Sequence, residues 1–328
     1  MQKVLLTGGA GFIGSHTAQA LLRSGKGVAI VDNLDDFYPV TWKRGNLQSI
    51  AEIGSACVFE TDIRDPISLS QVFEQTQPET VIHLAAKAGV RPSIKAPGQY
   101  YDVNVQGTLN ILQMCKQYGV SSLIFGSSSS VYGCSDRVPF SEKDTTLRPV
   151  SPYAASKLSA ELLCYTYAHL YGIRAICLRF FTVYGPRQRP DLAVHKFTTL
   201  LEAGYAIPVF GDGCSGRDFT YIDDIVAGLM SSIGYADASA PSEFQVFNLG
   251  SSRPILVNDL IRALEKATGT TAKIRHEPEQ SGDVRLTWAD ISKSQEMLGY
   301  HPSTDFEAGL KTFVEWHRKV KMATAQVA

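Results

Sequence analysis

The feature that most constrains the fold is a glycine-rich segment near the N terminus, Thr-Gly-Gly-Ala-Gly-Phe-Ile-Gly at residues 7–14. It follows an apolar, strand-like run at residues 3–7 and precedes a helical pattern at residues 13–24. Glycines at this place permit a tight turn, a close approach of the backbone to a pyrophosphate, and close packing of helix on strand. The helix N terminus then presents free N–H groups and the positive end of its dipole. The segment therefore predicts a strand–turn–helix unit that binds phosphate groups.

An acidic residue in the expected position extends this unit to a dinucleotide site. Asp32 ends the second strand-like run, about twenty residues after the glycine turn, where a carboxylate accepts hydrogen bonds from ribose hydroxyls. Its charge would repel a 2′-phosphate, and the residues that follow are Asn33, Leu34 and Asp35 rather than an arginine. We therefore predict NAD rather than NADP. For Asp62, after the third strand-like run, two interpretations stay open: an adenine contact and a plain turn residue.

Short apolar runs alternate with longer helical patterns through the first half of the chain. This alternation is typical of an α/β fold with a doubly wound parallel sheet of the Rossmann type. We expect an NAD-binding domain at residues 1–181, to which residues 218–250 return. A smaller, interleaved C-terminal α/β lobe, mainly for the substrate, is expected at residues 182–328. The clearest helical patterns span residues 98–118 and 152–171.

Composition and charge exclude several classes of partner. The 328 residues carry a formal net charge of -1, so no global attraction to nucleic acid or to an acidic membrane is expected. The six cysteines form no CxxC pair and have no metal-ligand spacing to a histidine, which fits a reducing compartment. No charged leader and no long apolar stretch is apparent, so we expect a cytoplasmic protein without a membrane span.

A second pair of residues suggests acid/base chemistry. Tyr153 and Lys157 lie four residues apart at the start of a helical pattern, so both project from one face. A free tyrosine ionises near pH 10, and a lysine ammonium one turn away is expected to lower the pKa of the phenol. Such a pair takes the proton from a hydroxyl while its carbon is oxidised. Serines at residues 127–130 end the fifth strand-like run, at the sheet edge where open α/β sheets bind ligands.

Four motifs together resemble the extended short-chain dehydrogenase/reductase family of nucleotide-sugar enzymes, over nearly the whole chain. They are residues 7–14, His-Leu-Ala-Ala at 83–86, Ser-Ser-Ser-Val-Tyr-Gly at 128–133 and Tyr-Ala-Ala-Ser-Lys at 153–157. The resemblance implies tightly held NAD, a UDP-sugar substrate bound in the C-terminal lobe, and homodimers joined through the helices near residues 98–118 and 152–171. It implies that Tyr153 is the base, that Lys157 contacts the nicotinamide ribose and that Ser128 contacts the sugar hydroxyl.

The resemblance also implies which residues form each site. Those expected to bind the cofactor are Gly8, Gly11, Phe12, Ile13, Gly14, Asp32, Asn33, Asp62, Ile63, Leu84, Ala85, Ala86, Asn104, Ser127, Tyr153, Lys157, Phe180 and Val183. Those expected to bind the sugar nucleotide are Gly89, Val90, Arg91, Ser128, Ser129, Tyr153, Thr182, Arg189, Arg217 and Arg285. No metal ligand is expected.

Within the family, one stretch favours a particular reaction. Arg-Phe-Phe-Thr-Val-Tyr-Gly-Pro-Arg-Gln-Arg-Pro-Asp at residues 179–191, and the loop at residues 88–91, resemble the UDP-glucuronate 4-epimerases. In that interpretation Thr182 and Arg189 grip the sugar carboxylate, while Arg217 and Arg285 neutralise the diphosphate. Serines stand where related dehydratases carry an Asp-Glu pair, which disfavours dehydration. The prediction is therefore C4 epimerisation of UDP-glucuronate to UDP-galacturonate through a 4-keto intermediate.

Three alternatives stay open. The chain could epimerise a neutral sugar such as UDP-glucose or UDP-N-acetylglucosamine, or it could be a UDP-glucuronate decarboxylase. A third class, a non-catalytic NAD-binding regulator, needs the glycine turn but neither Tyr153 nor Lys157. Two further residues are expected to have structural rather than catalytic roles. His83 is expected to be a packed strand histidine. Arg187 is expected to form a surface ion pair or to hold a loop.

Overall fold

The computed structural model describes residues 2–135, 137–278 and 284–325. Along these residues the strands are β1 (Lys3–Thr7), β2 (Gly27–Val31), β3 (Ala56–Phe59), β4 (Thr80–His83), β5 (Ser122–Ser128), β6 (Arg174–Phe180), β7 (Thr182–Tyr184), β8 (Ala206–Phe210), β9 (Gly216–Tyr221), β10 (Phe244–Leu249), β11 (Pro254–Leu256) and β12 (Lys273–Glu277). The helices are α1 (Phe12–Arg23), α2 (Val40–Ala51), α3 (Pro66–Thr76), α4 (Val90–Lys95), α5 (Pro97–Tyr101), α6 (Gly107–Gln117), α7 (Pro152–Tyr171), α8 (Ala193–Glu202), α9 (Ile222–Ala238), α10 (Val257–Thr268), α11 (Ser292–Leu298) and α12 (Phe306–Ala325).

The central sheet has seven parallel strands in the order β10-β6-β5-β4-β1-β2-β3. Neighbouring residues of β1 face opposite sides of it: Leu5 belongs to one apolar cluster and Leu6 to the other, and both are fully buried. Both faces of the sheet are therefore covered, as a parallel sheet requires. The predicted doubly wound α/β fold is confirmed.

The sequence signals for helix ends act as expected in α3 and α7. Asp65 caps α3 by accepting hydrogen bonds from the backbone N–H groups of Ile67 and Ser68, and Pro66 follows it. Ser151 caps α7 by accepting from the backbone N–H of Ala154. Gly172 ends α7 with a φ of 75°, a left-handed conformation that glycine adopts without steric cost.

The helical pattern at residues 98–118 is not one regular helix. It is divided into α5 and α6 by a π-helical turn at Asp102–Gln106. Asn104, within this turn, hydrogen-bonds with both the backbone N–H and the carbonyl oxygen of Lys87. The wider turn thus coincides with the place where the helix holds the loop after β4.

The second half of the chain contributes to two regions of the molecule. β10 pairs with β6 at the edge of the central sheet. β7, β9 and β11 form a three-stranded sheet, and β8 pairs with β12. Helices α2 and α8 were not apparent in the sequence pattern, and in α2 the buried residues are Lys43, Asn46 and Ile50, so its apolar periodicity is weak. Within the described residues, no helix is long and apolar enough to cross a membrane.

Candidate active site

A cleft opens along the carboxyl ends of β1, β2, β4, β5 and β6, the edge predicted from the fold. The predicted residues that line it are Gly8, Gly11, Phe12, Ile13, Gly14, Asp32, Asn33, Asp62, Ile63, Leu84, Ala85, Ala86, Gly89, Val90, Ser127, Ser128, Ser129, Tyr153, Lys157, Phe180, Thr182, Val183 and Arg189. The structure thus brings most of the two predicted residue sets into one cavity.

The glycine turn forms the floor of the cleft between β1 and α1. Gly8 has a φ of 72° and donates a backbone hydrogen bond of 2.7 Å to Val31 on the adjacent strand. A Cβ on Gly14 would lie 2.1 Å from the carbonyl oxygen of Gly8, and one on Gly8 would lie 2.7 Å from the backbone nitrogen of Ala85. Side chains are therefore excluded at both positions. The turn keeps its backbone bare, and the α1 N–H groups are presented at its end.

Asp32 is a buried carboxylate beside this turn. It accepts hydrogen bonds from the backbone N–H groups of Ala10 and Leu34. Burial raises its pKa, and the Lys43 ammonium, 3.9 Å away, opposes that shift. Lys43 is a residue that the sequence interpretation missed, because no apolar pattern marks α2. The cation next to Asp32 thus comes from helix α2 rather than from the residues that follow Asp32 in sequence.

Asp62 and Asn33 face the same end of the cleft. Asn33 donates a hydrogen bond of 2.9 Å to Asp62, and Arg64 pairs with Asp62 at 2.8 Å. The Arg64 hydrogen bonds lower the pKa of Asp62 to about 2. Asp62 is therefore an ionised acceptor at the cleft wall that also holds its own turn, so both of its predicted roles stay open.

Tyr153 and Lys157 project from the first turns of α7 toward the end of β5. Burial raises the pKa of Tyr153, while a hydrogen bond with Ser128 and the positive charge of Arg189 lower it. Lys157 donates a hydrogen bond of 2.7 Å to the carbonyl oxygen of Gly126. Burial lowers the pKa of Lys157 to about 8. The pKa of Tyr153 is thus raised overall, with Arg189 rather than Lys157 as the charge that opposes the rise, and the expected lowering by Lys157 stays a prediction.

Thr182 and Arg189 also line this cleft. Arg189 donates two hydrogen bonds of 2.9 Å to the two carboxylate oxygens of Asp191. Its guanidinium carbon also lies 5.5 Å from the centre of the Phe37 ring. Arg189 therefore presents an oriented guanidinium in the cleft, and a planar anion is the ligand that suits it.

Arg187 holds the loop that carries Arg189. It has a φ of 68°, and its guanidinium hydrogen-bonds with His16, Gln19 and Ser49 on α1 and α2. Burial lowers its pKa to about 10. Of its two predicted roles, loop holding is the observed one, and the surface ion pair is wrong because its partners are half-buried neutral groups.

Four predicted binding residues lie outside this cleft. Asn104 is buried, and its amide hydrogen-bonds with the backbone of Lys87 and with the Ser156 hydroxyl, so its contact with the cofactor stays a prediction. Arg91 stacks on Phe210 with its guanidinium carbon 4.6 Å from the ring centre. Arg217 donates to the carbonyl oxygen of Gly216.

Arg285 is exposed and lies near Arg217 in the second lobe. Its carbonyl oxygen accepts a hydrogen bond of 2.8 Å from the Gly216 backbone, next to Arg217 in sequence. The two arginines are thus neighbours, although neither lines the main cleft. The Gly-Asp dipeptide at residues 282–283, part of the predicted motif around Arg285, lies outside the described residues.

His83 is a packed strand histidine, as predicted. Its two ring nitrogens lie 2.7 and 3.0 Å from the hydroxyls of Thr7 and Thr108, and burial lowers its pKa to about 3. At the cleft mouth, Lys87 pairs with Asp35 at 3.4 Å; neither residue was predicted. Lys87 and Asp35 have no distinctive spacing to the motif residues, so the sequence alone offers no signal for them. Among the described residues, no cluster of histidine, cysteine and carboxylate side chains is suited to a metal ion.

A bare glycine turn beside a buried carboxylate, facing a helix-borne tyrosine and lysine, defines a dinucleotide-dependent enzyme of the short-chain dehydrogenase/reductase class. The chain belongs to the family whose model is described as GDP-mannose 4,6 dehydratase, which matches residues 5–313. The family resemblance drawn from the motifs is thereby confirmed.

The relatives within this family include several epimerases. The chain is 42% identical to a UDP-glucuronate 4-epimerase of Thermodesulfobacterium geofontis, over 96% of both chains. A crystal structure of UDP-glucuronic acid 4-epimerase from Bacillus cereus, in complex with UDP-glucuronic acid and NAD, is 37% identical with a TM-score of 0.90, covering 97% of this chain and 100% of that one. A UDP-glucose 4-epimerase of Thermotoga maritima with UDP-glucose is 36% identical with a TM-score of 0.88, covering 97% and 99%.

Proposed function

We propose that this protein catalyses the NAD-dependent epimerisation of UDP-glucuronate at C4, which yields UDP-galacturonate through a transient 4-keto sugar. The observation that carries the proposal is the presence of Tyr153, Ser128 and Arg189 in one cleft. Tyr153 and Ser128 suit a sugar hydroxyl, and Arg189 suits a sugar carboxylate. Relatives named UDP-glucuronate 4-epimerases, which match nearly the whole chain, support it.

The residues of the glycine turn fit NAD. The bare backbone of Gly8 and Gly14 leaves room for a pyrophosphate, which the N–H groups at the start of α1 bind. Asp32 accepts from the adenosine ribose, and its negative charge disfavours a 2′-phosphate. When bound, NAD supplies the reversible oxidation of the C4 carbinol.

Tyr153 moves the proton in this mechanism. Its phenolate oxygen takes the proton of the C4 hydroxyl, and it later returns a proton to the C4 oxygen when the opposite face of the carbon has been reduced. Ser128 hydrogen-bonds with the C4 oxygen and keeps it next to Tyr153. Between the two proton transfers the flat 4-keto sugar turns about its phosphate linkage, so that its other face meets the cofactor.

The uronate raises a chemical problem that Thr182 and Arg189 address. A 4-keto uronate is a β-keto acid, which loses carbon dioxide when its carboxylate bond aligns with the carbonyl π system. Two groups that hold the carboxylate near the carbonyl plane oppose this alignment. This holding distinguishes the epimerase from a decarboxylase that shares every step up to the ketone. Dehydration is disfavoured because Ser128 and Ser129 occupy the strand end where an acid and a base would be needed.

The nucleotide end of the substrate is assigned to the second lobe. We propose that Arg217 and Arg285, which neighbour each other through Gly216, meet the diphosphate. Residues 182–328 then form mainly the nucleotide-sugar lobe and residues 1–181 the NAD domain, with residues 218–250 returning to it. Arg91, stacked on Phe210, is positioned between the two lobes.

We further propose a cytoplasmic homodimer. On α7, Leu162, Tyr165 and Leu170 are 60, 53 and 58% exposed, and large apolar side chains on one exposed helix favour coverage by another chain. All six cysteines are free, which fits a reducing compartment. Sedimentation of the purified protein should give the mass of a dimer, and a Leu162→Glu variant should shift it toward the monomer. A monomeric parent protein would contradict this part of the proposal.

One experiment tests the reaction directly. Purified protein is incubated with UDP-glucuronate without added cofactor, and the products are identified by nuclear magnetic resonance. We expect UDP-galacturonate and no carbon dioxide. UDP-xylose with carbon dioxide would identify a decarboxylase, and turnover of UDP-glucose alone would identify a neutral-sugar epimerase. NAD in the purified protein without turnover of either sugar would point to a regulator.

A further inference from the structure

Asp191 forms a two-point pair with the cation that the proposed function assigns to the sugar carboxylate. Its two oxygens accept hydrogen bonds of 2.9 Å from Nε and Nη2 of Arg189. The side chains of Arg189 and Asp191 are 19% and 35% exposed. The pair is therefore partly shielded from water, and its geometry is the side-on fork that arginine forms with any carboxylate.

This pair balances a charge that would otherwise stand in the cleft. Burial disfavours the charged form of Arg189, but the hydrogen bonds to Asp191 raise the pKa of Arg189 above its ordinary value. A guanidinium with no anion at this depth would be costly. Asp191 thus occupies the place on Arg189 that a uronate carboxylate suits by shape and charge.

The two sugar classes differ in what they can do to this pair. A uronate is a planar anion, so it can replace Asp191 on the same fork, but its approach is opposed by the negative charge of Asp191. A neutral sugar carries a hydroxymethyl group instead, which has no charge and a single oxygen. It therefore leaves the Arg189–Asp191 pair intact.

We propose that Asp191 is a specificity-determining residue that exchanges with the uronate carboxylate on Arg189. The inference rests on the proposed function. Thr182 and Arg189 hold the carboxylate while the ketone forms, but the 4-keto sugar must leave Arg189 briefly in order to turn, and the exchange allows this release. Asp191 then pairs with the Arg189 guanidinium again, so that this partly buried cation keeps an anionic partner while the sugar rotates. Asp191 thereby weakens the hold on the uronate and lets the intermediate rotate.

The test measures binding without turnover. In a Tyr153→Phe background, the affinities for UDP-glucuronate and UDP-glucose are measured by calorimetry with and without Asp191→Asn. Asparagine keeps the size of the side chain and removes its charge. We expect Asp191→Asn to bind UDP-glucuronate about tenfold more tightly, which corresponds to about 1.4 kcal/mol. Its affinity for UDP-glucose should stay within about twofold.

A second measurement separates exchange from simple support of the loop. With Tyr153 intact, Asp191→Asn should lower the KM for UDP-glucuronate and also lower kcat, because the intermediate is released more slowly from Arg189. A residue that only orients Arg189 would raise KM instead. Glu307→Gln, which removes the same charge from the exposed pair with Lys266, is the matched control and should change neither constant.

The outcomes separate the proposed exchange on Arg189 from the proposed function. Unchanged or weaker binding of UDP-glucuronate by Asp191→Asn, when the Tyr153→Phe parent binds it, overturns the exchange and leaves the proposed function standing. A parent that binds UDP-glucose but not UDP-glucuronate overturns the proposed function, and the exchange with it. An Asp191→Ala variant repeats the test with no acceptor left on the side chain, and it should tighten uronate binding as well.

Discussion

The ammonium group of Lys157 donates a hydrogen bond of 2.7 Å to the carbonyl oxygen of Gly126, the residue two positions before Ser128 in β5. One turn earlier on the same helix, Tyr153 lines the same cleft as Ser128. The lysine therefore fixes α7 against the strand end from which Ser128 projects.

The next turn of α7 continues this contact. Glu161 accepts a hydrogen bond from the Ser127 hydroxyl and forms a buried two-point pair with Arg179 on β6. Lys157 and Glu161 thus hold two consecutive residues near the end of β5, Gly126 and Ser127. These contacts keep α7, and with it Tyr153, in a fixed place relative to the cleft.

Replacement of Lys157 by methionine should reveal the cost of burying this ammonium. Because burial lowers the pKa of Lys157 from 10.5 to about 8, the unfolded chain binds the proton more tightly than the folded one. The free energy of unfolding should therefore rise between pH 8 and 10.5, by about 3 kcal/mol from this group in the cofactor-free protein. Urea unfolding across this range should show the rise in the parent and lose that part in Lys157→Met.

The matched control for that variant is Lys116→Met, an exposed lysine on α6, which should leave the pH dependence unchanged. Lys157→Met should also lose turnover by about 10² to 10⁴-fold. Equal pH dependence in Lys157→Met and the parent would show that the ammonium is not destabilised by the fold.

Removal of the Tyr153 hydroxyl should stop the chemistry without emptying the cofactor site. The phenylalanine ring fills the same space, but it can neither take nor return a proton. Turnover of UDP-glucuronate should fall by about 10³-fold or more, while the NAD content of the purified protein stays at the parent level. Tyr205→Phe, at a tyrosine that is 68% exposed, should retain full activity. Parent-level turnover in Tyr153→Phe would remove this residue from the mechanism.

An alanine at Gly14 should disrupt the phosphate-binding turn. Its Cβ would lie 2.1 Å from the backbone oxygen of Gly8, and backbone cannot move aside as a flexible side chain does. We expect a loss of about 2 kcal/mol or more in the free energy of unfolding, together with loss of bound NAD. Gly45→Ala is the control, because nothing lies within 4 Å of its Cβ and helix propensity favours alanine there by about 1 kcal/mol. A Gly14→Ala protein of parent stability that retains NAD would refute the assigned turn geometry.

Substitution of Arg189 by leucine should separate the charged sugar from the neutral one. The leucine removes the proposed partner of the uronate carboxylate, and charge-assisted hydrogen bonds contribute about 1.5–3 kcal/mol. Affinity for UDP-glucuronate should fall about 10- to 100-fold, and some of the ketone should lose carbon dioxide, giving a pentose product. Binding of UDP-glucose serves as the internal control. If the variant keeps the parent affinity for UDP-glucuronate and releases no pentose product, Arg189 does not bind the uronate carboxylate.

Local spacing is why much of the site was predictable from the sequence. The glycine turn, Asp32 and the Tyr153–Lys157 pair each depend on positions that are close in the chain or on the regular order of strand, turn and helix. A four-residue spacing in a helix places two side chains on one face whatever surrounds them. The fold class follows in the same way from alternating apolar runs and helical patterns.

Contacts between distant segments were decided by the tertiary structure. The approach of Lys43 to Asp32, the stacking of Arg91 on Phe210 and the direction of Lys157 toward Gly126 each depend on how separate elements pack. The same is true of Arg189, which is distant from Tyr153 in sequence and whose charge opposes the rise that burial causes in the pKa of Tyr153. Sequence spacing determines which side chains share an element. Which groups then meet across a cleft depends on packing and burial, and these exist only in the folded chain.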